Sequence, residues 1–540
     1  MRFSNMDLTV LNDVAAGTKF CLRLPPLLRN KIKSGEAHAI HQERLDQRET
    51  NFLAVARHRI YNNPESPYRM LLALAGCEYG DFEALVTKEG VEGALHRLYL
   101  HGVYFTVDEF RGNSLVRRGG KTFEVTSAQF RNPSVTSHIM AQTSGSRGRG
   151  TQAPVDLALV REHAVDLFLD FEARGGLDWV RAVWSVPGAG ALRRMIGYSL
   201  CGAAPARWFS LVDPSAPGLH PRYFWSARAL RWAGLLAGSS LPLPVAVSLR
   251  DPMPIVRWMV EVIKSGRIPH LYAYASCAVR VCQAALDSGM ELRGAQFMTG
   301  GEPTTTARLA VIRRVGAAAQ IHYGAQEAGG LGRSCLMPEF VDDVHFLEDR
   351  YALVQRDIGG RSNLLPQTLL ISTLLPRARL VLLNVSLGDQ ATVVKRHCGC
   401  PLEKLGLKTH LHTIRSFEKL TAGGVTFLDT DVIRVLEDVL PARFGGAPTD
   451  FQLVDESTGD GVPRVRLLVN PRLGPLDSDA VRQAFLEGIG EGSGVERVMM
   501  LTWRDAGLPI VEREAPKLTG GGKIQHVHFG RAKIDPPAER

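Results

Sequence analysis

Near the end of the chain, Lys523 stands on a glycine loop, Pro516-Lys517-Leu518-Thr519-Gly520-Gly521-Gly522-Lys523-Ile524. A lysine carried this way can reach a phosphate and stabilise negative charge that develops on it. A stretch suited to hold phosphate lies far upstream, Thr143-Ser144-Gly145-Ser146-Arg147-Gly148-Arg149-Gly150-Thr151. Its glycines let backbone N–H groups close on phosphate oxygens, its hydroxyls add donors, and its arginines bring charge. Two further stretches, Gly300-Gly301-Glu302-Pro303 and His322-Tyr323-Gly324-Ala325-Gln326-Glu327, each end a predicted strand. Open α/β sheets bind ligands at such ends. Tyr323 offers a flat face to a purine, and Glu327 offers an oxygen to Mg²⁺ beside phosphate. In Asn384-Val385-Ser386-Leu387-Gly388-Asp389 the carboxylate suits two ribose hydroxyls, and Arg415-Ser416 follows downstream. Alone, each stretch also reads as a polar linker, a strand-end turn or a solvated lysine.

A second kind of chemistry is suggested by Cys335, His345 and the Cys398-Gly399-Cys400 pair. Two thiolates in a Cys-x-Cys turn, joined by ligands from an earlier loop, suit tetrahedral Zn²⁺. Four protein ligands leave no open position, so a structural rather than hydrolytic zinc is expected; the bland reading is reduced cysteines on loops and a core histidine. Cys277 and Cys282 share one predicted helix and read as core. His270 is compatible with an acyl pocket or with capping the preceding turn. The aromatic-rich run from Tyr223 to Trp232 reads as core.

The elements that must position these residues follow from periodicity. Residues 1 to about 135 read as mainly helical, with helical spacing in 67–74 and 91–98. From about 136 to 415 helices alternate with short apolar runs. Ala275 to Ser288 predicts a helix, Ala295 to Met298 a strand, Ala307 to Val315 a helix and Ala319 to Tyr323 a strand. That βαβ rhythm argues for α/β layers. Leu369–Ser372 and Leu380–Leu383 are further predicted strands. Beyond a boundary near Arg415, residues 416–540 show a small pattern of their own, with helices at 430–440 and 477–488 and a strand at 464–469. The expected fold is therefore α/β, a large multi-layered domain followed by a small α+β C-terminal domain.

Composition limits the function. The 540 residues are 45% hydrophobic and 22% charged, which suits a large globular unit plus a smaller domain. The net charge of +9 comes from Lys and Arg spread along the chain without interleaved aromatics. That argues against nucleic acid as a partner and suits a polyanion such as ATP or coenzyme A. The first residues lack a signal-peptide core, and the most apolar stretch, Trp232 to Leu249, is broken by Gly, Ser and two prolines. No membrane association is expected, and a cytoplasmic location with reduced cysteines is.

In their order along the chain, the phosphate loop, the aromatic-Gly-x-x-Glu turn, the Gly-Asp and the terminal Gly-Lys resemble the adenylate-forming superfamily of acyl-CoA ligases and nonribosomal adenylation domains. Val344-His345-Phe346-Leu347-Glu348-Asp349 resembles the His-x-x-Glu-Asp element of its phenylacetate-CoA ligase branch, and Thr151 at the end of the phosphate loop fits the same branch. Similar Cys/His sets occur in some relatives there. The resemblance covers roughly residues 136 to 530. It implies that Thr143 to Thr151 (Thr143, Ser144, Gly145, Ser146, Arg147, Gly148 and Thr151 among them) hold the β- and γ-phosphates. Gly301, Glu302, Tyr323 and Gly324 would border the adenine, and Glu327 would hold Mg²⁺. Asp389 and Arg415 would grip the ribose, and Lys523 would orient the carboxylate and α-phosphate. A rotation of the C-terminal domain would bring Gly423-Gly424 to the site for thiol transfer.

The implied activity is adenylation of a carboxylic acid, aromatic or otherwise small, followed by transfer to coenzyme A or a carrier protein's phosphopantetheine. The chain departs from the superfamily pattern at Arg147, Gly150, Gln326 and Val385, and at Phe417, where a hinge Asp or Lys is usual. The last departure keeps open an amine or hydroxyl acceptor, or a non-carboxylate substrate. A non-catalytic nucleotide sensor is the remaining alternative. The N-terminal region would build part of the substrate pocket or a dimer contact.

Overall fold

The computed structural model describes residues 20, 22–135, 139–142, 152–202, 204–213, 215–216, 222–325, 327–356, 364–416, 421–422, 425–426, 429–455, 465–491, 500–501, 503–519 and 521–529. The strands are numbered in chain order. Two hairpins come first, β1 (Val116–Arg118) with β2 (Lys121–Phe123) and β3 (Ile139–Gln142) with β4 (Gln152–Val155). Next are β5 (Val180–Ser185), β6 (Arg207–Ser210), β7 (Pro244–Ala246), β8 (Pro269–Tyr274), β9 (Gln296–Gly300) and β10 (Ala318–Ala325). They are followed by β11 (Gly329–Ser334), β12 (Val344–Phe346), β13 (Tyr351–Gln355), β14 (Thr368–Thr373), β15 (Val385–Lys395) and β16 (Thr409–Ser416). These twelve form one sheet in the order β13-β14-β15-β16-β12-β11-β10-β9-β8-β5-β6-β7.

The sheet has two halves. From β10 to β7 neighbouring strands are parallel, and from β10 to β13 they are antiparallel. Parallel pairing needs long crossovers, and helices supply them. Helix Ala275–Asp287 buries Ala275, Ala278, Cys282 and Ala285, the spacing that puts one apolar stripe against a sheet. With helices Met253–Lys264 and Thr306–Arg314 it covers one face, over Trp184, Leu271 and Phe297. Helices Leu157–Ala173, Ala189–Leu200 and Arg222–Leu236 cover the other, over Val183, Trp208 and Met298. The α/β expectation holds.

The early helices, among them Tyr68–Leu74 and the long Tyr79–Leu100, pack on the antiparallel half. Tyr68 fixes that junction. Its hydroxyl donates to the Val381 carbonyl at 2.9 Å and accepts the Leu383 N–H at 3.0 Å, with no exposed surface. This is why Leu380–Leu383 is no strand, contrary to the sequence expectation. Its ladder positions are taken by Tyr68, by the Thr373 hydroxyl bonded to Leu382 N–H, and by the Phe130 carbonyl bonded to Val381 N–H. Asn384 follows in a left-handed conformation with φ 51° and donates to the Leu95 and Val103 carbonyls. The turn into β15 is thereby tied to the helical region.

A separate four-stranded sheet is built from β19 (Phe451–Asp455), β20 (Val465–Val469), β21 (Ile510–Glu512) and β22 (Val527–Phe529), ordered β21-β20-β19-β22. The intervening β17 (Thr421–Ala422) and β18 (Val425–Thr426) pair only with each other. Helix Ser478–Gly490 and the wound segment Asp429–Phe444, π-helical at Val435–Val439, give this sheet its own core around Phe485 and Leu436.

The aromatic run after Tyr223 is a correction. On helix Arg222–Leu236, Trp225 and Trp232 are 64% and 68% exposed, because residues seven apart share a helix face and Leu230 and Ala233 take the buried one. No helix among the described residues is long and apolar enough to cross a membrane.

Replacing Tyr68 by Phe strands a buried N–H and a buried carbonyl. The expected cost is about 1–3 kcal/mol of stability, read as a lowered denaturant midpoint with an unchanged slope.

Candidate active site

The C-terminal ends of β8, β9 and β10 lie side by side, with Tyr274 opposite Gly300 and Gly300 opposite His322. Beyond β9 the chain turns at Gly301, whose φ of +76° favours glycine. Space requires glycine there as well. A Cβ at this position would lie 2.9 Å from Lys523 Nζ and 3.4 Å from a Tyr274 ring carbon. The Lys523 ammonium thus sits directly over the turn, 5.1 Å from the centre of the Tyr274 ring.

The loop bearing Lys523 is held at both ends. Thr519 accepts the Lys523 N–H on its hydroxyl at 3.1 Å and donates its own N–H to the Lys523 carbonyl at 2.9 Å. The next N–H, of Ile524, donates to Glu302 Oε1 at 2.8 Å. Glu302 also accepts the Ser276 N–H at 2.7 Å, the Ser276 hydroxyl at 3.0 Å and Arg308 Nη1 at 3.2 Å. This buried carboxylate, read from sequence as bordering adenine, joins the strand-end turn to the lysine loop.

Arg308 extends the link. Its Nε donates to Glu437 Oε1 at 2.7 Å, and Glu437 also accepts from His526 Nε2 at 2.6 Å and from the Thr305 hydroxyl. Burial opposes ionisation of Glu437, but Arg308 and His526 outweigh it and hold the carboxyl down to about 2. Thr305 caps helix Thr306–Arg314, so that helix start and the small sheet's π-helical turn share one buried charge cluster.

On β10 the Tyr323 hydroxyl donates to Asp389 Oδ2 at 2.9 Å, across to β15. Burial, then Asp389, raises the phenol well above its usual range, so it stays a donor. Gly324 faces Gly330 at the start of the β10–β11 hairpin, where a Cβ would come 2.3 Å from the Gly329 carbonyl oxygen. Glu327 follows in the same hairpin, half-buried, with its charge felt by Arg379. Arg415 is placed differently. Asp389 pairs with Ser416 and Arg415 with Gln390, so Asp389 and Arg415 fall on alternate faces of the pleat. Arg415 lies beside the Asp342 carboxylate at 3.4 Å.

The sequence-predicted phosphate loop, Thr143 to Thr151, lies outside the described residues, as do Gln326, Phe417 and Gly423-Gly424. Its flanking strands pair with Gln142 opposite Gln152. His270 is enclosed by Phe171, Trp179 and Tyr198, and burial holds it neutral. Cys277 and Cys282 are fully buried, and burial pushes both thiols up.

The cysteines and histidine read as metal ligands converge at the far end of β11, β12 and β16. His345 Nε2 lies 3.1 Å from Cys400 Sγ and 3.6 Å from Cys398 Sγ. Its Nδ1 donates to the Leu407 carbonyl at 2.8 Å, leaving the Nε2 lone pair for the sulfurs. Burial, then His410, pushes this imidazole down to about 4, the neutral form a metal needs. Donor atoms of Cys335, His345, Cys398 and His410 all lie within 4.8 Å of one another. His410 was missed from sequence. It stands opposite His345 in the β12–β16 register, donates Nδ1–H to Asp343 at 2.7 Å, and has a buried Nε2 with no partner. An orphaned imidazole nitrogen beside three thiols fits a thiophilic cation.

Compared with protein-family profiles, the sequence matches none. Compared with curated proteins, it matches none. Among solved structures the chain is similar to a 2-hydroxyisobutyryl-CoA ligase in complex with 2-HIB-AMP and CoA, at 14% identity over 93% of this chain and 91% of that one, with TM-score 0.44. It is also similar to the anthranilate CoA ligase AuaEII with anthranoyl-AMP, at 12% identity over 72% and 65% with TM-score 0.40. ATP-bound MatB from Rhodopseudomonas palustris is a third, at 14% identity over 71% and 66% with TM-score 0.39. The structural neighbours are acyl-CoA ligases and adenylation domains.

Glu437→Gln removes one side of a dry ion pair, with an expected loss of about 3 kcal/mol in denaturant unfolding. Because the folded-state pKa of Glu437 is depressed from 4.5 to about 2, its contribution is present above pH 4.5 and lost as pH falls towards 2. That segment of acid sensitivity is expected to vanish in the variant.

Proposed function

We propose that this chain adenylates a carboxylic acid with ATP and passes the acyl group to a thiol. The observation that carries the reading is the position of Lys523, brought from the small sheet's side onto Gly301 and Tyr274 at the parallel strand ends. An ammonium over such an edge is suited to negative charge developing at a phosphate held there. The acid's carboxylate oxygen attacks the α-phosphorus, a new O–P bond forms, the bond to the β-phosphate oxygen breaks, and pyrophosphate leaves. Lys523 stabilises the charge on the α-phosphate oxygens and orients the carboxylate.

Residues 143–151, between the paired ends of β3 and β4, take the β- and γ-phosphates in this reading. Tyr323 gives its ring to the adenine while its hydroxyl orients Asp389, which binds a ribose hydroxyl in this reading. The register supports Asp389 as the main ribose ligand in this reading, with Arg415 acting through Asp342 and β16. Glu327 would hold Mg²⁺, which offsets phosphate charge. Zinc would be held by four of the five donors Cys335, His345, Cys398, Cys400 and His410, cross-linking β11, β12, β16 and the 398–400 turn.

The acceptor is coenzyme A or a carrier-protein phosphopantetheine. The chain divides near residue 415, with 1–135 and 136–415 building the large unit and 416–540 the mobile one.

ATP–pyrophosphate exchange with a panel of carboxylic acids tests the reading. Exchange that depends on one acid and falls about 100-fold or more in Lys523→Ala supports it. ATP binding without exchange for any acid removes it. Elemental analysis is expected to give one zinc per chain, lost when Cys398 and Cys400 are both changed to Ser.

A further inference from the structure

The strand rows that end at Lys523 continue into a polar site the adenylation chemistry does not use. One two-residue step back along the strands, Tyr272, Met298 and Gln320 stand in register on one face. The step spans about 7 Å. Helix Ala189–Leu200 crosses this face and lays Arg194 on it. The guanidinium is 4.1 Å from the centre of the Tyr272 ring, and its Nη1 lies 3.6 Å from Met298 Sδ. In the row above, Gly300 has no side chain, so nothing from β9 separates this site from the strand-end turn.

Its charges do not balance. Among the described residues neither Arg193 nor Arg194 has a carboxylate partner, whereas the neighbouring Arg350 pairs with Asp166 and Arg333 shares Asp166 and Asp170. Burial, then the charges of Arg379 and Arg194, lower the Arg193 guanidinium to about 9. Beside them Gln320 is 3% exposed with neither amide atom hydrogen-bonded, and the buried Tyr198 hydroxyl has no partner. Native interiors rarely leave such groups empty-handed. Uncompensated arginines and orphaned amide atoms on one face call for an anion with hydrogen-bonding oxygens.

We propose that the acid substrate carries a second anionic group, seated on Arg193 and Arg194 beside Gln320 about 7 Å from the carboxylate that is activated. This deepens the adenylation reading and rests on it. It shifts the substrate class from the aromatic or simple acids expected from sequence to dicarboxylic acids.

The experiment compares pyrophosphate exchange for succinate, glutarate, adipate and isophthalate with that for butyrate, valerate, hexanoate and benzoate, alongside ATP binding. A dicarboxylic acid is expected to exchange about tenfold or more better than its monocarboxylic counterpart. Arg194→Gln is expected to lower kcat/KM for that acid on the order of 100-fold, with partial recovery in Arg194→Lys and unchanged ATP affinity. Arg193→Gln gives the same readout if Arg194→Gln fails to fold. Monocarboxylic acids exchanging as well as dicarboxylic ones overturns the second anion while leaving adenylation standing. Weakened ATP binding in either variant assigns the arginines to the nucleotide's phosphates and also overturns it. Exchange with no acid removes adenylation, and this proposal with it.

Discussion

The buried carboxylate of Glu302 is the constraint on which the site depends. It accepts from the first residues of the helix after β8, from Arg308 on the helix after β9, and from the N–H next to Lys523. A carboxylate out of water must be saturated with donors, and here those donors come from three separate parts of the chain. Satisfying one charge therefore sets the strand-end turn, the crossover helices and the lysine loop in a single arrangement. Gly301 completes it by leaving room for the ammonium.

What was legible in the sequence was local. Glycine turns after apolar runs, the stripe of Ala275 to Asp287 and the Cys-x-Cys turn all express short-range rules of backbone freedom and periodicity. Misreadings arose where distant partners decide the outcome. Leu380–Leu383 has the apolar character of a strand but receives its hydrogen bonds from Tyr68, Thr373 and Phe130, one of them more than 300 positions away. His410 sits in an alternating Thr-His-Leu-His run that does not say which histidine points inward; pairing with β12 decides it. Arg308 and Glu437, separated by 129 positions, carry no common motif at all. Trp225 and Trp232 looked like core by residue type alone, and their seven-residue spacing turned both outward.

The large unit also buries many charges, and it does so in two styles. Around Asp166 they are matched. Arg44 donates to one oxygen at 2.9 Å and Arg350 to the other, with Asp349 and His41 adjoining. At the Cys/His cluster, three sulfurs and two imidazoles crowd together with Arg396 Nη2 3.8 Å from Cys335 Sγ, and backbone N–H groups hold Cys400 below its ordinary range against burial. Matched networks fix a fold. Clusters with a surplus of one sign are where proteins place ligands.

The charge cluster between the two sheets treats mutation and motion differently. Arg308 keeps Glu302 on its own side, and Glu437 keeps His526 on its own. A substitution in the docked state leaves a guanidinium facing a neutral group in a dry junction. Were the faces to part, water would enter and each charge would leave with a partner already bound. The junction is thus sensitive to the loss of a residue yet divisible along its own seam, because each of the four side chains has one partner on its own side.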